Sequence, residues 1–252
     1  KFRLPVEKLI HNGISKNFFL FGYISEFMKN HLLIAYKVKE QQLVPIINTL
    51  LSIDKNLLDQ KLSHPSTQEL RGIDKDRKII FSFGRCSHQK GYDILIDGFL
   101  KSGQFNKYCL VLLAPTDIAD KKYLDLIEFK LNKLPERSYR FIRQFMSPLP
   151  LLASKRTKIV AFASRFECAP VAALEAIEYS THSTILYSPI GPFIEVFKDL
   201  KQAMRLEKNT ATEWNKAIQL VRENTNTSRE ALNNVSYENN FVGLISELER
   251  LL

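Results

Sequence analysis

The 252 residues are 45% hydrophobic and 25% charged, a balance typical of a soluble globular protein with a substantial core. The apolar runs are short, and none approaches the roughly 20 residues that cross a bilayer. No signal peptide is present, and the chain opens on Lys1 rather than Met, so we expect a further amino-terminal portion to precede it. The short apolar runs argue against a membrane-spanning protein.

Cysteine and histidine spacing bears on metals and redox state. Cys86, Cys109 and Cys168 form no CxxC pair. The five histidines form no HxxxH or HxH arrangement. We therefore expect reduced thiols in a cytoplasmic protein, no protein-built metal site and no bound cofactor.

The net charge of +9 allows three kinds of partner: nucleic acid, an anionic membrane surface or a polyphosphate ligand. The basic residues are spread along the chain and no nucleic-acid-binding motif appears, so we expect no nucleic-acid partner. A peripheral contact with the inner face of the membrane stays open, as does a basic surface that binds nothing in particular.

The first 77 residues contain few predicted elements. The segment 17–23 predicts a strand, 25–37 a helix and 43–47 a second strand. The stretch 59–77 is polar and rich in turn residues, which indicates a linker. Because one or two β–α units cannot bury a core of their own, we expect this part to be an incomplete α/β segment of a larger domain.

Beyond residue 77, strand-like and helix-like segments alternate. Continuous apolar runs predict buried strands, and apolar side chains at helical spacing predict helices. The predicted strands are 78–84, 108–114, 138–145, 157–164 and 184–188. The predicted helices are 91–100, 119–134, 149–154, 170–179, 193–200 and 211–223.

This alternation predicts a doubly wound α/β fold, in which helices cover both faces of a parallel sheet. Ligands of such sheets bind at the carboxyl ends of the strands. We therefore expect the functional loops to be those that follow residues 84, 115, 164 and 188.

The first candidate site segment joins a predicted strand to a predicted helix and contains Gly84, Arg85, Lys90 and Gly91. Gly84 lets the chain turn sharply, and the helix start near Gly91 presents N–H groups to an anion. Arg85 can bind phosphate oxygens with two hydrogen bonds, and Lys90 adds a second positive charge. The segment predicts a diphosphate site, with ordinary surface charge as the alternative.

The second segment, SRFECAPVAALEA, carries two carboxylates with seven residues between them. Glu167 follows a predicted strand, and Glu175 lies in the next helix among apolar neighbours. Carboxylates accept hydrogen bonds from sugar hydroxyls, and a buried glutamate in so apolar a helix needs a polar partner. The alternative is that both are solvated charges.

The third segment, SPIGPFIEV, places Gly191 and Pro192 at a predicted helix start. Its N–H groups would face the same pocket. By itself, the segment is also typical of an ordinary strand–turn–helix connection.

In this order, the three segments resemble the donor domain of family-four GT-B glycosyltransferases, also called glycosyl transferases group 1. The match runs from residue 79 to about 196 and rests on FGRCSHQKGYDILIDGF, SRFECAPVAALEA and SPIGPFIEV. The resemblance implies a Rossmann-like donor domain in which Arg85 and Lys90 hold the donor diphosphate. It also implies that Glu167 contacts the transferred sugar and that Glu175 holds the ribose hydroxyls.

The upstream segments FFLFGYISEFMKNHL and LVPIINTLLSID resemble the end of the acceptor domain and its connection to the donor domain. The resemblance therefore implies four regions. They are the tail of an incomplete acceptor domain at 1–58, a linker at 59–77, the donor domain at 78–235 and a carboxyl-terminal helix at 236–252.

The loop after the first glutamate departs from the family pattern. It reads Cys168-Ala169-Pro170 where glycines are usual, and the glycine pair before the next helix is reduced to Gly191-Pro192. Fewer glycines leave less room for the backbone to approach a phosphate. The predicted donor-binding residues are Gly84, Arg85, Lys90, Glu167, Ala169, Pro170, Glu175 and Gly191.

The resemblance implies a retaining glycosyltransferase that moves a sugar from a nucleotide-diphosphate donor to a glycan, lipid-linked or protein acceptor. Arg85, Lys90 and Glu167 would be its catalytic residues, with cations stabilising the leaving group without a metal. Two alternatives stay open. One is a non-catalytic sugar-nucleotide-binding module or partner subunit, and the other is a sugar-nucleotide epimerase of the same architecture.

Overall fold

The computed structural model describes residues 20–46, 73–117, 119–180 and 182–221. Internal contacts divide the chain into two compact units. One comprises Lys1–Ser52 with Asn233–Leu252, and the other comprises Ile53–Leu232. The predicted helix at 236–252 and most of the predicted linker lie outside the described residues.

The described part of the first unit is a β–α–β element. Strands β1 (Phe21–Tyr23) and β2 (Leu43–Pro45) pair in parallel, and helix α1 (Glu26–Ala35) connects them. Helix α1 begins after Ser25, whose side chain accepts a hydrogen bond from the Met28 N–H group. The predicted elements 17–23, 25–37 and 43–47 are confirmed over shorter ranges, with residues 17–19 and 47 outside the described residues.

The second unit contains a six-stranded parallel sheet in the order β5-β4-β3-β6-β7-β8. Its strands are β3 (Lys78–Phe83), β4 (Tyr108–Leu113), β5 (Tyr139–Ile142), β6 (Thr157–Phe162), β7 (Thr184–Tyr187) and β8 (Ala203–Arg205). The prediction of a doubly wound parallel sheet is confirmed. Strand β8 was not predicted, because three residues with an exposed arginine form no apolar run.

Among the described residues, six α-helices cover the two faces of this sheet, close to the predicted positions. They are α2 (Tyr92–Ser102), α3 (Lys121–Leu131), α4 (Leu149–Ala153), α5 (Val171–Tyr179), α6 (Gly191–Phe197) and α7 (Ala211–Leu220). Alternate strand residues serve opposite faces: Ile80 packs with α2, α3 and α7, whereas Ile79 and Phe81 pack with α4, α5 and α6. All six residues of β4 are buried, as expected for a strand covered on both faces.

Helices α2 and α7 pack unusually closely where Gly98 meets Trp214. A Cβ atom at Gly98 would lie 2.3 Å from the Trp214 Cβ and 3.2 Å from the Ala211 carbonyl oxygen. Trp214 is fully buried, and its indole N–H donates to Asn209 Oδ1 at 2.9 Å. The glycine therefore sets the distance between the two helices.

We expect Gly98→Ala to destabilise the protein by about 1–3 kcal/mol, the usual range for overpacking a core. At a solvent-exposed position in a helix, the same change would stabilise the protein by roughly 0.5–1 kcal/mol. The sign of the change in unfolding free energy therefore reports the close contact. Urea unfolding measures the difference, with Lys101→Ala at an exposed site on α2 as the control. A stabilised Gly98→Ala variant would contradict the packing described here.

Candidate functional site

The strand order reverses between β3 and β6, which lie side by side at the centre of the sheet. The chain leaves β3 towards β5 on one side and leaves β6 towards β8 on the other. Open α/β sheets bind ligands in the crevice at this reversal, outside the carboxyl ends of the strands. The loops 84–91 and 163–170 flank the crevice, and the loop after β7 follows next to them.

Two glycines shape the loop after β3. Gly84 has φ +133°, and a Cβ atom there would lie 3.0 Å from Lys90 Cε, so the lysine stem lies over the glycine. Gly91 has φ +67°, and a Cβ atom there would lie 2.0 Å from the Ala163 carbonyl oxygen. A side chain at Gly91 would therefore push the loop away from the end of β6.

The structure brings the predicted Lys90 and Glu167 together across the crevice. Lys90 Nζ lies 2.7 Å from Glu167 Oε1, and the Ser164 hydroxyl donates to the same oxygen at 2.7 Å. The side chains of Lys90 and Glu167 are 15% and 7% exposed, so water screens this ion pair weakly. Glu167 Oε2 has a weaker contact, at 3.4 Å from Gln89 Nε2. This oxygen keeps capacity for another donor.

Arg85 lies in the same loop as Lys90 but differs from it in exposure and pairing. Its side chain is exposed and makes no ion pair or hydrogen bond with the residues that the structure describes. The loop therefore carries one cation held by a carboxylate and one that is available to a ligand.

Glu175 lies in α5 and is half-buried, next to the buried Ala173 and Ala176. Within the described ranges its carboxylate has no hydrogen-bond or ion-pair partner, and burial raises its pKa above the ordinary value. Partial burial of a carboxylate to which no described group donates a hydrogen bond costs free energy.

The other predicted donor-binding residues lie at two helix starts. Ala169 and Pro170 lead into α5, and Gly191 is the first residue of α6. Neither helix has a side-chain cap at its amino end. The loop before α6 is tied to the end of β6, because the Ser188 hydroxyl donates to the Ser164 carbonyl oxygen at 2.6 Å.

The start of α2 differs from the anion site that the sequence predicts there. The Asp93 N–H group lies 3.4 Å from the Tyr123 hydroxyl, and the Asp93 carboxylate itself occupies the first turn of the helix. A negative charge at this end already uses the favourable helix dipole. The N–H groups at this helix start are therefore less available to an anion than the sequence predicts.

Sequence reasoning missed several residues that organise the site. Ser164 and Arg165 stand in the segment singled out for its glutamates, and Gln89 stands in the loop singled out for its cations. Asn209 also contributes, because its Nδ2 donates to the Ala163 carbonyl oxygen at 2.8 Å. Neither motif spacing nor apolar periodicity points to Asn209.

Residues 65–238 match the family model described as glycosyl transferases group 1, and this span is more than half of the chain. The chain therefore belongs to the glycosyl transferases group 1 family. A comparison with curated proteins gave no match. In the described residues, no helix is long and apolar enough to cross a membrane, and no cluster of three metal-ligating side chains occurs.

Solved GT-B glycosyltransferases share the fold. A glycosyltransferase from Rickettsia africae superposes with a TM-score of 0.65 at 16% identity, over 84% of this chain and 55% of that one. HepE from Anabaena, solved with UDP and glucose, gives 0.65 at 16% identity, over 84% and 56%. WaaG, a glycosyltransferase of lipopolysaccharide biosynthesis, gives 0.61 at 13% identity, over 79% and 52%. The chain thus spans little more than half the length of these structures.

We expect Glu175→Gln to stabilise the ligand-free protein at neutral pH, raising its thermal midpoint by roughly 2 °C. Burial raises the folded-state pKa, so this group destabilises the fold increasingly as pH rises from its ordinary pKa to the raised one, and the penalty is constant above that. The gain should vanish at about pH 3, below the ordinary glutamate pKa, where the group is protonated in both states. Thermal unfolding at both pH values measures it, with the exposed Glu207→Gln as control; a gain independent of pH would contradict the assignment.

Proposed function

We propose that the second unit binds a nucleotide-diphosphate sugar at the carboxyl edge of its sheet, and that the whole protein is a retaining glycosyltransferase. The carrying observation is the Lys90–Glu167 pair at the strand-order reversal, beside the unengaged Arg85. HepE was solved with UDP-glucose, and a trehalose-phosphate synthase of the same fold is UDP-forming, which supports this donor class. The acceptor class is a glycan, a lipid-linked sugar or a protein.

Arg85 and Lys90 would bind the donor diphosphate. Cleavage of the sugar–phosphate bond develops negative charge on the leaving diphosphate, and fixed cations stabilise that charge where water is excluded. Arg85 is available without breaking an ion pair or hydrogen bond to any described residue, whereas Lys90 must share its charge between Glu167 and the phosphate. Because two side-chain cations supply this stabilisation, the proposal requires no metal or other cofactor.

Glu167 would orient the transferred sugar. Its Oε1 is occupied by Lys90 and Ser164, so Oε2 is the oxygen that can accept a sugar hydroxyl. In this proposal the free oxygen orients the sugar and does not attack its anomeric carbon. Retention of configuration would then follow from the departing diphosphate and the acceptor sharing one face of the sugar.

Glu175 would hold the ribose hydroxyls, which supply the hydrogen bonds that its half-buried carboxylate lacks among the described residues. The backbone at Ala169, Pro170 and Gly191 would contact the phosphates from the starts of α5 and α6. The amino-terminal 58 residues would complete an acceptor domain, joined by a linker at 59–77 to the donor domain at 78–235 and followed by the helix at 236–252. The protein would act in the cytoplasm, with the inner face of the membrane as a further location.

A thermal-shift screen tests donor binding with UDP, GDP and ADP and with UDP-glucose, GDP-mannose and ADP-glucose. A ligand present at a hundredfold excess over its dissociation constant stabilises by roughly 2.7 kcal/mol. The full-length protein with the stabilising donor then gives the reaction, and the anomeric proton of the product reports retention or inversion. Isomerised donor without transfer would identify an epimerase, and binding without turnover would identify a non-catalytic module.

Removing either proposed diphosphate cation should weaken nucleoside diphosphate binding far more than nucleoside binding. We expect Arg85→Ala and Lys90→Ala each to cost about tenfold to a hundredfold, the range for one charge-assisted hydrogen bond. Calorimetry with both ligands measures the difference, and Lys101→Ala controls for net charge. Equal losses for the nucleoside and its diphosphate would refute the assignment.

Glu167→Gln should change two affinities in opposite directions. It removes a negative charge beside the bound diphosphate and releases Lys90 from its ion pair. We therefore expect the nucleoside diphosphate without a sugar to bind about threefold to tenfold more tightly. The variant also removes the charged hydrogen-bond acceptor of the sugar. The affinity that the nucleotide sugar gains over the nucleoside diphosphate should therefore be smaller than in the wild-type protein. Calorimetry measures both, with exposed Glu207→Gln as control. Weaker diphosphate binding in Glu167→Gln would show that Glu167 does not compete for Lys90.

A further inference from the structure

A second ion pair joins the loops on the two sides of the crevice. Arg165 follows β6, and Asp93 lies in the first turn of α2, which follows β3. The guanidinium donates to both carboxylate oxygens, through Nη1 to Oδ1 at 2.9 Å and through Nη2 to Oδ2 at 2.6 Å. The side chains are 28% and 13% exposed, so this two-bond geometry is partly shielded from water.

We call the Arg165–Asp93 ion pair the junction. Hydrogen bonds to backbone carbonyl groups link it to the residues next to Lys90 and Glu167. Arg165 Nη1 donates to the His88 carbonyl oxygen at 2.7 Å, and the Arg165 N–H group donates to the Gln89 carbonyl oxygen at 2.7 Å. Gln89 Nε2 in turn donates to the Phe166 carbonyl oxygen at 2.9 Å. Lys90 follows Gln89 and Glu167 follows Phe166, so each partner of the site ion pair is next to a bonded residue.

Tyr123 on α3 supports the carboxylate from a third side. Its hydroxyl donates to Asp93 Oδ1 at 2.9 Å, and its ring contacts His88 edge-to-face at 5.8 Å between centroids. Burial alone would raise the pKa of Asp93, but the hydrogen bonds from Arg165 and Tyr123 and the charge of Arg165 lower it below the ordinary value. Asp93 is therefore charged throughout the neutral pH range.

This junction differs from the Lys90–Glu167 pair in what a donor would do to it. Under the proposed function, the diphosphate draws Lys90 away from Glu167, and the contact between those two side chains weakens. The Arg165–Asp93 junction faces no such demand, because Asp93 is not among the residues assigned to the donor. It can keep the two loops in register while the site pair is shared with a ligand.

We propose that Arg165 is a positioning residue, which with Asp93 fixes the loop carrying Lys90 against the loop carrying Glu167 before the donor arrives. This inference rests on the proposed function, since it assigns a purpose to the distance between those two side chains. Donor-binding groups held in place in advance lose less entropy on binding, and small misplacements are costly.

The test compares Arg165→Met and Asp93→Asn with a matched control, Lys130→Met. Lys130 pairs with Asp97 at 2.5 Å and joins α3 to α2 rather than the two loops. Hydrogen exchange at the backbone N–H group of residue 165, in the ligand-free chain, reports whether the two loops stay bonded to each other. Calorimetry with UDP, GDP and ADP and with uridine, guanosine and adenosine reports how much the diphosphate adds to affinity, well below the thermal midpoint of each variant.

We expect both junction variants to speed exchange at the backbone N–H group of residue 165, after allowance for the intrinsic rate of the new side chain, and to cut the ratio of diphosphate to nucleoside affinity by about tenfold. Lys130→Met should lower thermal stability and leave that ratio unchanged. A junction variant with faster exchange and an unchanged ratio would reduce Arg165 to a structural residue. Unchanged exchange would show that the loops are fixed by other contacts.

Two outcomes separate this inference from the proposed function. If wild-type protein binds none of the three diphosphates, the donor assignment fails, whatever the exchange data show, and the positioning role fails with it. If wild type binds one and Arg165→Met retains the ratio, only the positioning role fails. Should Arg165→Met not fold, Asp93→Asn and Tyr123→Phe, which removes one hydrogen bond to Asp93, give the same measurements.

Discussion

The close approach of two backbone segments at the centre of the sheet is the constraint on which the site depends. Gly91 packs against the Ala163 carbonyl so closely that even a methyl group would not fit. This contact brings the loop after β3 within side-chain reach of the loop after β6. Lys90 can then meet Glu167, and Arg165 can reach Asp93 and the backbone of 88–89. A wider spacing would break both ion pairs.

The site combines two kinds of electrostatic arrangement. The Lys90–Glu167 pair is held by one carboxylate oxygen, whereas Arg165 and Asp93 bond through both nitrogens and both oxygens. The first arrangement can exchange a partner for a ligand, and the second resists exchange because two bonds must break together. Arg85 adds a charge that no described side chain neutralises. Two parallel bonds therefore join the loops at Arg165 and Asp93, whereas the Lys90–Glu167 pair is the contact that a diphosphate would share under the proposed function.

Much of this architecture follows from local sequence, and the exceptions have physical reasons. Buried strands such as β4 are long apolar runs, and Lys90 and Glu167 could be expected to meet because both follow strands of one parallel sheet. Strand β8 is too short for a periodic signal. The Arg165–Asp93 junction joins residues 72 positions apart, and only the tertiary distance between two loops reveals it. The sequence likewise indicates no partner for Glu175, and none of the described residues provides one.

Asn209 has a consequence for how much of the chain the site needs. Its amide donates to the Ala163 and Ser164 carbonyls at 2.8 and 3.3 Å, and its oxygen accepts from the Trp214 indole. The Ala163 carbonyl also leaves no room for a side chain at Gly91, and the Ser164 carbonyl also accepts a hydrogen bond from the Ser188 hydroxyl. A fragment that stopped before this point would leave those carbonyls open to water at the floor of the crevice. The minimal fragment that preserves the site therefore extends at least through Trp214, far beyond the last residue assigned to the ligand.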